Sequence, residues 1–333
     1  MVTPGRRLLA VLTVLLSLAF FAADPAAAAA PGDSEGGTAK LRTALDEATR
    51  GYLDAKNALA ASQAKQKDLT SQLTTLQTRY ADATKAVGQV ADAAYRSGRL
   101  GTISALLGSN SPEEFIERAY SLNAVAVTSS GKLKEMTDAR DRVTTAKAEI
   151  EAAIADQQKQ VQVMAARKKQ AEDALIAAGG GASVPGFGGL SKTATPAPRN
   201  SDGSWPKESC SVDDPTTSGC ITPRTLHAMQ EAKKAGFTHY VSCYRPSGEG
   251  EHPKGRACDF AAAKTGFEGV ASGADKTYGT NLANFFIKNA DNLGVLYVIW
   301  FRRIWLPGSG WKSYSGCCDP AATHENHVHL SMY

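Results

Sequence analysis

Aromatic residues are scarce, at 7% of the chain, and none of the four tryptophans precedes Trp205. The first two hundred residues therefore lack tryptophan, as expected if the packed core lies beyond them. Cysteine is confined in the same way: all six stand at Cys210 or later. None has the C-x-x-C spacing of a thiolate zinc site, which leaves disulfides in an oxidising compartment as the expected use. Past the first thirty residues no apolar run is long enough to span a bilayer. An excess of one charge is missing too. The net charge is +4, and residues 201–333 carry thirteen Lys and Arg against thirteen Asp and Glu. With no basic patch and no interleaved aromatics, nucleic acid is not an expected partner.

What is present falls into blocks. Arg6 and Arg7 precede the apolar run Leu8 to Ala22 and the alanine tract Ala26 to Ala30. That order of charge, apolar stretch and small residues predicts a secretory signal over residues 1–30, with export and no membrane span after its cleavage; an uncleaved N-terminal anchor is the alternative. From Leu41 the apolar positions advance by alternating fours and threes through Leu45, Ala48, Tyr52, Ala55, Leu59, Leu69, Leu73, Leu76, Tyr80, Ala83 and Val87. Only Ser62 and Gln66 break the seam, so the pattern predicts a coiled coil. Such a helix of about 60 residues would be roughly 90 Å long. Glycines 98, 101 and 108 interrupt it. Ser111, Pro112, Glu113 and Glu114 then read as an N-cap, a first-turn proline and first-turn acids. The second helix extends to about residue 178, with a seam read through Met136, Val143, Ile150, Ile154, Val161, Met164, Ala171 and Leu175. Residues 38–178 are thus expected to form an antiparallel coiled-coil hairpin, with a straight parallel dimer as the alternative.

Residues 179–204 are rich in Gly, Pro, Ser and Thr and predict a flexible linker. Residues 205–333 predict a small α+β domain with a largely antiparallel sheet. Helices are expected from Thr222-Pro223 to Gly236 and from Thr280 to Asn292. Strands are expected in "HYVSCYR", "RACDFAAA", "VLYVIW" and "HVHLSM". Local spacing favours the disulfides Cys210–Cys220 and Cys243–Cys258 and leaves Cys317 and Cys318 open.

Four of the six histidines lie in two short stretches, "SCYRPSGEGEHPKGRACDF" and "HENHVHL". His327 and His329 are two apart, so on a strand both imidazoles face one side. His252 from a turn, Asp259 from one strand and His329 from another would supply three ligands. That is the usual number for catalytic zinc. A plain ion pair of Asp259 with Arg256 is the competing reading. His227 and His239 stand alone and read as surface or satisfied core residues, and His324 reads as a rim residue, with orienting the site as its alternative role.

These stretches also resemble a family. "YR", then "H-x-x-G-R-A-x-D", then "H-x-H", over roughly residues 241–331, are similar to the zinc peptidases that include D-alanyl-D-alanine carboxypeptidases, lysostaphin-type endopeptidases and the hedgehog fold. The resemblance implies Zn2+ held by His252, Asp259 and His329, and Arg245 as the cation for a substrate carboxylate or oxyanion. It implies hydrolysis of peptide bonds in peptidoglycan. The carboxypeptidase branch places a glutamate where this chain has Asn326. His327 fits the base of the lysostaphin-type branch, and Glu325 is the second choice. The hairpin around "AYRSGRLGTISALLGSNSPEEF" resembles those of bacterial cell-wall hydrolases and their activators, which implies a protein partner at the coiled coil or a hairpin that shields the active site, with a plain spacer as the alternative. The alternative function is a non-catalytic wall-binding adaptor whose hairpin recruits or activates another hydrolase.

Overall fold

The computed structural model describes residues 37–98, 101–188, 192–248, 250–316 and 318–333, so the expected signal lies outside the described residues. Helix α1 spans Ala39–Ser97, capped by Thr38, whose hydroxyl accepts the Leu41 N–H at 3.2 Å. Short α2 (Gly101–Leu107) sits at the turn. Helix α3 (Pro112–Ala177) starts as its sequence predicts, with Ser111 accepting the Glu114 N–H at 3.1 Å and proline in the first turn. α1 and α3 form the antiparallel hairpin.

The two polar interruptions of the seam face the opposite helix. Ser62 donates to the Ala153 carbonyl at 3.1 Å, and Gln157 Nε2 donates to Gln66 Oε1 at 2.8 Å. The α3 seam differs from expectation at Ile154 and Val161, which are exposed. Ala139, Ala146 and Ala153 are buried instead, at heptad spacing. A methyl side chain lets the helices approach closely, so the larger residues lie outside the contact.

The C-terminal domain begins with a two-stranded ribbon, β1 (Val212–Asp213) and β2 (Cys220–Ile221), tied by the Cys210–Cys220 disulfide. Helix α4 (Pro223–Lys234) follows, capped by Thr222. Next come β3 (Val241–Ser242), a 3-10 turn at His252–Lys254 and β4 (Ala257–Ala261). Helices α5 (Gly273–Lys288) and α6 (Ala290–Leu293) precede β5 (Val295–Trp300), β6 (Arg303–Leu306), β7 (Gly310–Ser313) and β8 (His327–Met332). The main sheet is antiparallel throughout, in the order β3-β4-β8-β5-β6-β7. The Cys243–Cys258 disulfide joins the β3 end to β4, as local spacing favoured, and Cys318 is also disulfide-bonded. This hairpin with a small α+β domain is the expected fold class.

Two features depart from the sequence expectation. Helix α5 begins seven residues early, at Gly273, because its first turns are polar and carry glycine. Gly279 is required there, since a Cβ would meet the Trp300 ring at 2.4 Å. The segment expected as a flexible linker is docked on the domain. Gly181 donates to the Ser313 carbonyl, Val184 to the Trp311 carbonyl, and Phe187 meets Trp311 edge-on at 5.2 Å. Ala194 is buried and donates to Asn289 Oδ1 at 2.8 Å. Sheet-edge hydrogen bonds and one aromatic contact hold a stretch whose composition alone predicts freedom.

Strand alternation gives the sheet two faces. Val241, Phe260, Val298, Trp300, Val328 and Leu330 pack with Leu282, Phe285 and Phe286 of α5 and Met229 of α4. The opposite face carries Tyr297, Ile299 and Ile304. It is covered by the base of the hairpin through Leu41, Leu45, Ala48 and Leu175.

Candidate metal centre

Asp259 on β4 pairs directly with His329 on β8, and His329 with Ile299 on β5. Their neighbours Cys258, Phe260, Val328 and Leu330 fill the helix-covered core. Asp259, His327 and His329 therefore share the face that the hairpin base covers. Tyr297 links the two regions: it belongs to the cluster under the hairpin and stacks on the His329 ring, with centroids 5.8 Å apart.

His252 reaches the same place from the 3-10 turn. Gly255 closes that turn in the left-handed conformation, at φ 68°, and packs so tightly that a Cβ would lie 2.6 Å from Cys210 Sγ. His252 Nδ1 donates to the Cys243 carbonyl, which turns Nε2 toward the sheet. Nε2 lies 3.3 Å from Asp259 Oδ2 and 3.3 Å from His329 Nδ1, and His329 Nδ1 lies 2.9 Å from Asp259 Oδ1. His329 Nε2 pairs with Ser331 Oγ at 2.8 Å.

The spacing suits a small divalent ion. Bonds of about 2.0 Å in a tetrahedron separate ligand atoms by roughly 3.3 Å. Two imidazoles and one carboxylate are a common zinc donor set. Both histidines have an outer nitrogen engaged, which is the arrangement that orients a ligating ring. All three residues are at most 3% exposed. The competing pair with Arg256 does not form: Arg256 Nε lies 2.6 Å from Glu251 Oε2. Burial alone would raise the Asp259 pKa, but the adjacent His252 and His327 and the hydrogen bonds to His252 and His329 hold it well below the usual carboxylate range.

The remaining predicted residues divide. Arg245 Nη1 lies 3.4 Å from Asp259 Oδ2 with 30% of its side chain exposed, so it links the cluster to solvent. His327 Nε2 lies 3.4 Å from Asp259 Oδ1 and has no hydrogen-bond partner. Burial pushes its pKa down to about 4, against the pull of Asp259. Glu325 is engaged elsewhere: it accepts from the Thr323 hydroxyl at 2.7 Å and meets Arg302 at 4.0 Å. Lone His227 and His239 are satisfied by the carbonyls of Thr195 and Ala262.

Sequence reasoning placed His324 at the rim, and the structure corrects that. The side chain is completely buried, 4.8 Å from the His327 ring and 5.7 Å from that of His329. Neither ring nitrogen has a hydrogen-bond partner. Burial first, then His327 and His329, push its pKa well below the ordinary value. Its backbone is left-handed at φ 54°, which costs energy for a residue with a Cβ. A turn residue at positive φ leaves no mark in the sequence. Glu251 was also missed. It is buried beside His252 and gathers Arg50 of α1, Lys254 and Arg256 at 2.7, 2.8 and 2.6 Å. Arg50 lies some two hundred residues away, and no local pattern joins them.

The family described as VldE, C-terminal domain, matches residues 217–327, about a third of the chain. That span includes His252, Asp259, His324 and His327 and ends before His329. No curated protein matches the chain.

Proposed function

We propose that this chain is an exported zinc-dependent peptidase that hydrolyses peptide bonds of peptidoglycan. The observation that carries the reading is the convergence of His252 Nε2, the Asp259 carboxylate and His329 Nδ1, all within 4.8 Å of one another. The substrate class rests on the motif resemblance. Export is supported by the disulfides, which need an oxidising compartment. No helix among the described residues is long and apolar enough to cross a membrane.

His252, Asp259 and His329 would hold the ion. When bound, zinc supplies Lewis acidity toward an amide carbonyl and toward water at neutral pH. The protein's own groups do the rest. Arg245 would bind a substrate carboxylate or the oxygen that gains charge as the carbonyl becomes tetrahedral. His327 Nε2 has a position and a free lone pair suited to take a proton from the attacking water. It would return that proton to the amine as the C–N bond breaks, so the new C–O bond and the free amine balance. Burial of the cluster keeps competing water out and strengthens each of these interactions.

The test begins with elemental analysis of the purified full chain, where about one zinc per chain is expected. His252→Ala and Asp259→Ala should lose the metal and, with it, cleavage of peptidoglycan peptides followed by mass spectrometry. Chelation should stop cleavage and zinc should restore it. Metal-free protein that still cleaves would overturn the mechanism. Bound zinc with no cleavage would favour the adaptor.

A further inference from the structure

Asn326 occupies the position where the similar carboxypeptidases carry glutamate, and it is 5% exposed. Its amide meets two neighbours. The Glu268 carbonyl, 2.8 Å away, can only accept a hydrogen bond, so it must face Nδ2. That leaves Oδ1 against His327 Nδ1 at 2.7 Å. An amide oxygen can only accept, so His327 Nδ1 must carry the hydrogen. In a neutral imidazole, Nε2 is then the bare nitrogen. This is the atom without a partner, 3.4 Å from Asp259 Oδ1 and beside the three candidate ligands.

Without Asn326, Nδ1 would have no acceptor, whereas an Nε2–H would lie 3.4 Å from Asp259 Oδ1 and gain from the carboxylate's field. The opposite tautomer would then be preferred, and the site would have no proton acceptor. Asn326 excludes that state because Nδ1 would then present a lone pair to Oδ1. Phe267, edge-on to the His327 ring at 5.3 Å, limits its rotation.

We propose that Asn326 is a positioning residue, fixed by the Glu268 carbonyl, that locks His327 in the Nδ1–H tautomer and so leaves Nε2 as the proton acceptor of the site. Its catalytic meaning rests on the peptidase reading, but the tautomer itself does not. The test uses the full chain with 15N-labelled histidine at neutral to mildly alkaline pH. Two-bond 1H–15N correlation distinguishes protonated from bare ring nitrogens, and His327→Gln assigns the signal. In the wild-type protein Nδ1 should be protonated and Nε2 bare. Asn326→Ala should move the hydrogen to Nε2, whereas Asn326→Asp, which still offers an acceptor, should keep it on Nδ1. Asn326→Ala should retain zinc while kcat falls roughly a hundredfold. Wild-type protein with Nε2–H, or a folded Asn326→Ala with the wild-type tautomer, would overturn the proposal. The expected tautomers in a protein that neither binds zinc nor hydrolyses would support it and sink the peptidase reading instead.

Discussion

The two ends of the helical hairpin carry apolar residues in opposite surroundings. At the base, Leu41, Leu45, Ala48 and Leu175 are at most 4% exposed, packed on Leu296, Ile299 and Ile304 of the C-terminal domain. Toward the turn, Tyr95, Leu107, Tyr120, Val125 and Val127 are 62–88% exposed. A heptad pattern says which stripe of a helix is apolar, not what covers it. At one end the sheet covers the stripe, so the base behaves as an additional layer of the domain. Farther out, the helices have only each other, joined by an alanine-lined seam.

Truncation in the core is the strongest way to break this comparison. Leu45→Ala or Leu175→Ala should destabilise the C-terminal domain by about 2–5 kcal/mol, because each opens a cavity in a packed layer. Val127→Ala should change stability by less than about 0.5 kcal/mol. Urea unfolding followed by tryptophan fluorescence reads the domain selectively, since all four tryptophans lie at or beyond Trp205. Equal midpoints for wild type and Leu45→Ala would mean that the base is not a layer of the domain.

The legible and the hidden parts of this molecule divide along the same line. The N-caps Thr222 and Ser111, the turn at Gly255, the disulfides and the same-face placement of His327 and His329 are local, and residue chemistry within a few positions determines them. The meeting of His252, Asp259 and His329 is allowed by spacing and implied by the resemblance, and it requires both that β4 and β8 be neighbours and that the turn carrying His252 fold back on them. Hidden were contacts with long sequence separation or unusual backbone. The docking of residues 181–187 on β7, Arg50 on Glu251, and His324 at positive φ all depend on tertiary placement. Asn326 was visible as a departure from a motif. Its role depends on the Glu268 carbonyl, 58 residues away along the chain.

Arg50 offers a smaller test of the same boundary. Its Nη2 meets Glu251 Oε2 at 2.7 Å and the Met332 carbonyl at 3.1 Å. Glu251 precedes His252, and Met332 ends the strand that carries His329. The hairpin base therefore holds both segments that bring histidine to the centre. Arg50→Ala should cost about 1–3 kcal/mol, as removal of a charged hydrogen bond does, because Lys254 and Arg256 still compensate Glu251. In competition with a chelator, zinc affinity should fall by less than the roughly tenfold that loss of a direct ligand-orienting partner costs. Lys56 also bridges hairpin and domain, to Asp291 at 2.6 Å, but in the open. Lys56→Ala should leave both quantities nearly unchanged. Equal effects of the two substitutions would remove Arg50 from any special place.

The least costly change probes whether the outer arm and the domain are one cooperative unit. Ser62 donates from a buried seam position to the Ala153 carbonyl, which also belongs to the α3 backbone ladder. Ser62→Ala leaves no buried donor unsatisfied, so its cost should stay within about 0.5–1 kcal/mol. That cost should be local. Hydrogen exchange of amides around Ser62 and Ala153 should quicken, while the tryptophan-reported transition of the domain stays where it was. Regions held by few apolar contacts open independently of the global transition, and the alanine-lined seam meets that description. Were the domain transition to shift with Ser62→Ala, the hairpin would be a single element from base to turn, and the contrast between its two ends would be one of exposure alone.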